Sequence, residues 1–399
     1  MRDGNGDAAI TGLVLTGGGA RAAYQVGALR AIARITRATR IPFQVLVGSS
    51  AGAINATALA TGAEDFQGAT ARLWATWNCI CPEQVYRTDV RRLFGIGARW
   101  MRDVTSGGLF GHRTINYLLD TAPLRRLLGA NLDLDRLPAH FRAHRLRGVA
   151  VSATSYSSAN GITFFDGAPH IEPWVRSVRV GVRDRITLDH VMASTAIPLF
   201  FPPVRIGKMF FGDGCIRMVA PVSPAVHLGA ERILAIGVRH HATPGEIVDK
   251  LQPDTHAAPL SEILGTLLNS LFLDSIESDG ERLERINRTL LLVPPHRRST
   301  QALRIIPFLV LRPSRDLGDL AEDAHVRMPG MVQYLLRGMG AQNRAGRDLL
   351  SYLAFEHVYV RRLMRLGYRD TLARRRELEL FFSGGPIAEH PLLPRKERA

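Results

Sequence analysis

Phe43-Gln44-Val45-Leu46-Val47-Gly48-Ser49-Ser50-Ala51-Gly52 is the stretch on which the fold of this chain turns. Residues 43–47 form a short β-rich run, and a small-residue helical pattern follows through residue 60. Between them stands G-x-S-x-G, the signature of a sharp strand-to-helix turn that holds its serine in a strained conformation. Only small neighbours let the strand and helix approach so closely, and Ala51, Gly52 and Ala53 satisfy that condition. The spacing makes Ser50, not Ser49, the candidate nucleophile, with Gly48 and Gly52 as the flanks of the elbow.

The same unit stands upstream. Residues 12–16 are apolar and end in Gly17-Gly18-Gly19-Ala20-Arg21, after which Ala22, Val26, Leu29 and Ala33 recur at helical spacing. Two strand-turn-helix units in succession predict a mostly parallel sheet flanked by helices, an α/β fold. Glycines at a helix start leave backbone N–H groups free to meet an anion, either a phosphate or the oxyanion of acyl transfer. Gly17-x-Gly19-x-x-Ala22 also fits a dinucleotide fingerprint, which requires an acid about 20 residues further on. Residues 20–63 contain no Asp or Glu, so the oxyanion reading is retained.

Working outward, the pattern predicts strands at 148–154, 162–165, 232–238, 289–293 and 308–311, a helix at 188–194, and an amphipathic helix at 260–271. A hairpin is expected to end at Gly212-Asp213-Gly214. Phe66, Thr70, Leu73, Trp74 and Trp77 share a helix face assigned to the core. From about residue 319 the chain reads as arginine-rich helices, which divides it into units of 8–318 and 319–399. Residues 41–63 carry no charge, yet Gln44, Ser49, Ser50, Asn55 and Thr57 make them a buried strand, turn and helix, not a membrane span.

The chain has 399 residues, 46% hydrophobic and 22% charged, which excludes a disordered or fibrous protein. A net charge of +15 favours anionic partners, and only Lys208, Lys250 and Lys396 among its cations are lysines. Residues 91–102 place Arg91, Arg92, Arg99 and Arg102 beside Phe94 and Trp100, a combination suited to an anionic lipid surface. Cys79, Cys81 and Cys215 make neither a disulfide framework nor a zinc spacing. The acidic N-terminus does not read as a secretory leader, so the expected location is cytoplasmic, with peripheral contact at the inner membrane face.

A nucleophilic serine needs a base within hydrogen-bond reach. Thirteen histidines leave a Ser-His-Asp triad on an α/β-hydrolase open. Asp213 is the more economical choice, because a tight turn after the apolar Met209-Phe210-Phe211 can hold a carboxylate rigidly and partly desolvated, although Asp-Gly is also an ordinary turn signal.

The glycine stretch at residues 17–21, the elbow around Ser50, Ala193-Ser194-Thr195-Ala196-Ile197-Pro198 with Phe201-Pro202-Pro203, and Asp213-Gly214 occur in one order. In that order they resemble the patatin-like phospholipases, over roughly residues 10–315. The resemblance implies a three-layer fold and a lipid acyl hydrolase of phospholipase A or lysophospholipase type. It further implies a Ser50-Asp213 dyad without a catalytic histidine, an oxyanion hole from Gly17, Gly18, Gly19 and Arg21, and no metal or other cofactor. Implied partners are a phospholipid or lysophospholipid and, transiently, an anionic membrane surface, with no nucleic acid. The chain departs from the family pattern at Ala22, where glycine is usual, and at Cys215, where glycine or alanine is usual, which keeps a catalytically idle lipid- or partner-binding protein in view.

Overall fold

The computed structural model describes residues 9–87, 117–241, 245, 248, 260–272, 275–298, 303–323 and 351–385. The basic stretch 91–102 lies outside them. The sheet begins where the glycine-punctuated runs predict: β1 is Thr11–Leu15 and β2 is Val45–Ser49, followed by β3 (Gly148–Ser155) and β4 (Gly161–Gly167). β5 (Trp174–Arg176) and β6 (Arg179–Arg183) form one edge, while β7 (Val204–Ile206) and β8 (Met209–Asp213) make the hairpin. β9 (Arg232–Ile236) and β10 (Phe308–Leu311) complete the other edge. Their order is β10-β9-β1-β2-β3-β4-β6-β5, and β8 joins β3 beyond the end of β2. From β10 to β3 all neighbours are parallel; β4, β5, β7 and β8 introduce the antiparallel pairings.

Strand alternation sorts the core into two faces. Leu13, Leu15, Leu46, Val149, Val151, Leu234, Ile236, Leu309 and Leu311 enter one hydrophobic cluster. Val14, Val45, Val47, Ala150, Ile233, Ala235 and Val310 enter the other. Each of these five strands, β1, β2, β3, β9 and β10, is therefore apolar on both sides, as a sheet covered by helices on two faces requires. The first face is covered by α1 (Ala23–Thr36), α2 (Ala51–Thr61), α3 (Phe66–Asn78), α4 (Ala122–Asn131) and α5 (Leu188–Ser194). On α3 the buried residues include Phe66, Thr70, Leu73 and Trp77, the predicted core face, with Trp74 partly covered.

Later helices are α6 (Leu260–Phe272), α7 (Ser275–Leu292), α8 (Leu317–Asp323), α9 (His357–Ala373) and α10 (Arg375–Ser383). The strand expected at 289–293 is instead the end of α7 and the turn after it. Thr289 Oγ1 bonds back to the Arg285 carbonyl and Arg288 pairs with Glu284, both at helical i,i+4 spacing. Leu290 is buried whereas Leu291 and Leu292 face solvent, so this apolar run lies on a helix and not between strands. Beyond residue 319 the described elements are helices only. α9 packs backbone to backbone on α1: a Cβ on Gly27 would overlap the Met364 carbonyl, and one on Gly367 the Tyr24 carbonyl. The most C-terminal described helices thus cover the first helix of the chain.

Candidate active site

Strand register decides where the candidate residues meet. Ser49, the last residue of β2, pairs with Ser152 of β3, and the next position on β3, Ala153, pairs with Asp213 at the end of β8. β8 runs against β2, so the two strand ends converge on one side of β3. Ser50 sits at that junction with φ 53° and ψ −134°, a conformation that costs a non-glycine residue about 1–3 kcal/mol. Crowding maintains it, since a Cβ on Gly48 would overlap Ala53 and one on Gly52 the Leu15 carbonyl. Ser194, from the end of α5, anchors the bend: the Ser50 N–H donates to Ser194 Oγ at 2.8 Å, and Ser194 Oγ donates to the Ser152 carbonyl at 2.6 Å.

Ser50 Oγ donates to Asp213 Oδ2 at 2.6 Å. The other carboxylate oxygen accepts the Cys215 N–H at 2.9 Å, while the Asp213 N–H donates to the Ala196 carbonyl and the Asp213 carbonyl accepts from Thr154 Oγ1. Ser50 is 1% exposed and Asp213 is fully buried. Burial pushes the Asp213 carboxyl up to about 7, against the lowering effect of the hydrogen bonds from Ser50 and Cys215. Burial, followed by the neighbouring Asp213 carboxylate, also raises the Cys215 thiol well above its ordinary range; the same thiol meets the Gly17 backbone N–H. Cys215 therefore touches both the carboxylate and the glycine loop.

That loop turns through Gly18 at φ 152° and Gly19 at φ 55° into a 3-10 turn, Gly19–Ala22. A buried amide network supports it: Gln25 donates to the Thr16 and Ile236 carbonyls, and Asn55 bonds both Gln25 and the Ala22 carbonyl. Trp77 Nε1 closes the network on Asn55 Oδ1 at 2.9 Å. Arg21 is buried, with Nε donating to Ser351 Oγ at 2.7 Å and its guanidinium 4.4 Å from the Tyr352 ring centre. A Cβ on Gly19 would overlap the Tyr352 carbonyl, and Tyr86 donates to the Leu353 carbonyl. Residues 351–355 are thus a strap against the loop.

A narrow apolar slot lies beside Ser50 and Gly19. Ile54, Trp77, Leu124, Leu128, Phe201 and Phe355 contribute to its walls. Among the described residues, no histidine hydrogen-bonds Ser50 or Asp213, and no group of three or more His, Cys, Asp or Glu side chains is arranged to hold a metal ion. No described helix is long and apolar enough to cross a membrane.

The structure brings together Ser50, Asp213, Gly19 and the elbow glycines, and places Arg21 against the strap. Sequence reasoning gave no role to Ser194, although it lies within the quoted Ala193–Pro198 segment. The strap lies more than 300 residues from the loop that it touches, and no local pattern announces it.

The family described as Patatin-like phospholipase matches residues 13–226, more than half of the chain. No curated protein matches in sequence. Among solved structures, human GIVD cytosolic phospholipase A2 in complex with methyl gamma-linolenyl fluorophosphonate matches at TM-score 0.42 and 14% identity, covering 95% of this chain and 59% of that one. VipD from Legionella pneumophila matches at TM-score 0.31 and 13% identity, covering 88% and 67%. The ExoU-SpcU complex of Pseudomonas aeruginosa matches at 0.26 and 18%, covering 86% and 74%. The chain spans under two thirds of the human enzyme's length. With its glycine loop and its serine elbow inside the matched residues, the chain belongs to the patatin-like phospholipase family.

Proposed function

We propose that this protein is a lipid acyl hydrolase that cleaves carboxylic esters through a Ser50-Asp213 dyad. The observation that carries the reading is the 2.6 Å hydrogen bond from Ser50 Oγ to a buried Asp213 carboxylate. In the ionised state Asp213 takes the Ser50 proton as Oγ attacks the ester carbonyl. Backbone N–H groups of the Gly17–Gly19 loop stabilise the tetrahedral oxyanion. Asp213 then returns the proton to the departing alcohol, leaving an acyl-serine. Water attacks that acyl group, Asp213 accepts the water proton, and the free fatty acid leaves as Ser50 recovers its hydrogen.

The substrate class is a phospholipid or lysophospholipid, its acyl chain lying in the slot walled by Trp77, Leu124 and Phe355. The dyad and the glycine loop belong to the unit 8–318, the arginine-rich unit 319–399 adds the strap and Phe355 to the slot, and the enzyme works from the cytoplasm in passing contact with an anionic membrane. A fluorophosphonate probe tests the chemistry: it should label wild-type protein once, at Ser50, and leave Ser50→Ala unlabelled. Undiminished labelling of the variant would place the nucleophile elsewhere.

A further inference from the structure

Away from the dyad, the outward face of α9 carries Arg362, Arg365 and Arg369 at i, i+3 and i+7, one stripe of a helix. With Arg315 they line a groove edged by the rings of Trp74 and Tyr368, which meet edge to face at 6.3 Å. The opposite face of α9, including Tyr359, Leu363, Met364 and Gly367, is buried. Packing therefore fixes the direction in which the stripe points. Among the described residues, no carboxylate pairs with Arg362, Arg365 or Arg369. Nearby acids have other partners: Asp370 accepts from the Ser314 N–H and hydroxyl, and Asp316 from the Gly318 N–H.

Like charges stacked on adjacent turns repel and weaken a helix, so an uncompensated stripe is an anion site waiting for its counter-charge. Guanidinium forks bind phosphate in pairs of hydrogen bonds, and tryptophan and tyrosine suit the boundary between headgroups and acyl chains. The groove also adjoins the acyl slot. α3 supplies Trp74 to the groove and, one turn on, Trp77 to the slot, where Trp77 lies 6.3 Å from Phe355. Phe355 stands two residues before α9 begins.

We propose that this arginine groove docks the protein on the phosphate headgroups of an anionic phospholipid membrane, holding the slot next to the lipid surface. The proposal rests on the lipid-hydrolase reading for its occupant, and its test is kept independent of catalysis. Full-length protein is sedimented with vesicles of ether-linked lipids, which have no acyl ester to cleave, made of phosphatidylcholine alone or with added phosphatidylglycerol. Wild-type protein should prefer the anionic vesicles. Arg362→Gln, Arg365→Gln and Arg369→Gln combined should weaken that binding on the order of tenfold to 100-fold, since each basic residue at such a surface contributes severalfold.

A control that replaces the exposed Arg142, Arg176 and Arg205 by Gln removes equal charge from other surfaces and should weaken binding much less. Hydrolysis of a short soluble ester should be the same in wild type and both triple variants. Equal losses in the two triple variants, or no preference for anionic vesicles, would overturn the groove as a docking site. Inorganic phosphate that displaces the protein at matched ionic strength would assign the groove to a free anion instead, and groove-dependent binding of RNA without vesicle binding would also overturn it. A wild-type protein that docks through these arginines yet cleaves no ester would keep the groove and refute the hydrolase reading.

Discussion

The bend at Ser50 is written mainly by its neighbours in sequence, whereas Asp213 is held mainly by other segments of the chain. Around the serine, Gly48, Ala51, Gly52 and Ala53 pack so closely that only small residues fit beside the positive φ, so the six residues 48–53 write the strained turn. Around the aspartate, Ser50 Oγ and the Cys215 N–H bind the carboxylate, while the Ala196 carbonyl and Thr154 Oγ1 hold the backbone N–H and carbonyl, so three of the four partners come from other elements. One side stores backbone strain and the other stores the cost of an unsolvated charge. A site built in this way is legible at the elbow and silent at the base until the fold assembles.

The largest effect should come from breaking either side. Ser50→Ala should lower ester hydrolysis by on the order of 10⁴-fold or more, measured as kcat/KM on a soluble ester. Asp213→Asn should lower it by on the order of 10²- to 10⁴-fold, the range of general-base catalysis. Their stabilities should separate them. Ser50→Gly relieves the positive φ and should raise stability by about 1 kcal/mol in denaturant unfolding, and Asp213→Asn should stabilise most above pH 7, where the wild-type carboxylate is ionised. An Asp213→Asn enzyme with full activity would refute the dyad.

The pH dependence sharpens the same contrast. Burial raises the folded carboxyl of Asp213 to about 7, while unfolding returns it to the ordinary acidic range. The folded state therefore binds the proton more tightly, so this group's stabilising contribution is fully present at low pH and is lost as pH rises from about 4 through 7. Activity should move the opposite way, because only the ionised form accepts the Ser50 proton. The expected result is a kcat/KM that climbs through about pH 7 while thermal stability declines over the same interval. In Asp213→Asn the slope assigned to this group should vanish from the stability profile.

Ser194 joins the two sides, since it fixes the Ser50 N–H from a position 144 residues away. Ser194→Ala leaves that N–H and the Ser152 carbonyl without their partner and should cost about 1–3 kcal/mol of stability. Because the nucleophile loses its orientation and not its substrate pocket, kcat should fall about 10-fold to 100-fold with KM little changed. Rescue by Ser194→Thr, which retains a hydroxyl, would separate hydrogen bonding from packing.

How much the sequence shows follows from the range of the interactions. The parallel half of the sheet, its two glycine-punctuated turns and Ser50 are local patterns and were readable. Asp213 could be raised as a candidate from its turn but singled out only through the order of four motifs, because a buried carboxylate and a surface turn are both written Asp-Gly. The apolar run at 289–293 misled because leucines alone do not separate a helix end from a strand; the Glu284-Arg288 pair four residues apart is the better signal. The strap at 351–355 is a tertiary contact with no sequence periodicity to betray it.

The strap yields the smallest predicted effect and the finest test of the slot. Phe355 lies within 6.4 Å, centre to centre, of both Trp77 and Tyr86, and it lines the slot beside Ser50. Phe355→Leu keeps an apolar side chain there but removes the ring contacts, which are worth about 0.5–1.5 kcal/mol. If a long acyl chain lies along this wall, KM for a long-chain lysophospholipid should rise about 3-fold to 10-fold. An acetyl ester does not reach so far, so its kcat/KM should stay within about twofold of wild type. Equal losses on both substrates would mean that Phe355 serves the glycine loop through the strap, because a displaced loop weakens oxyanion binding whatever the chain length. No change on either substrate would place the acyl chain outside this slot.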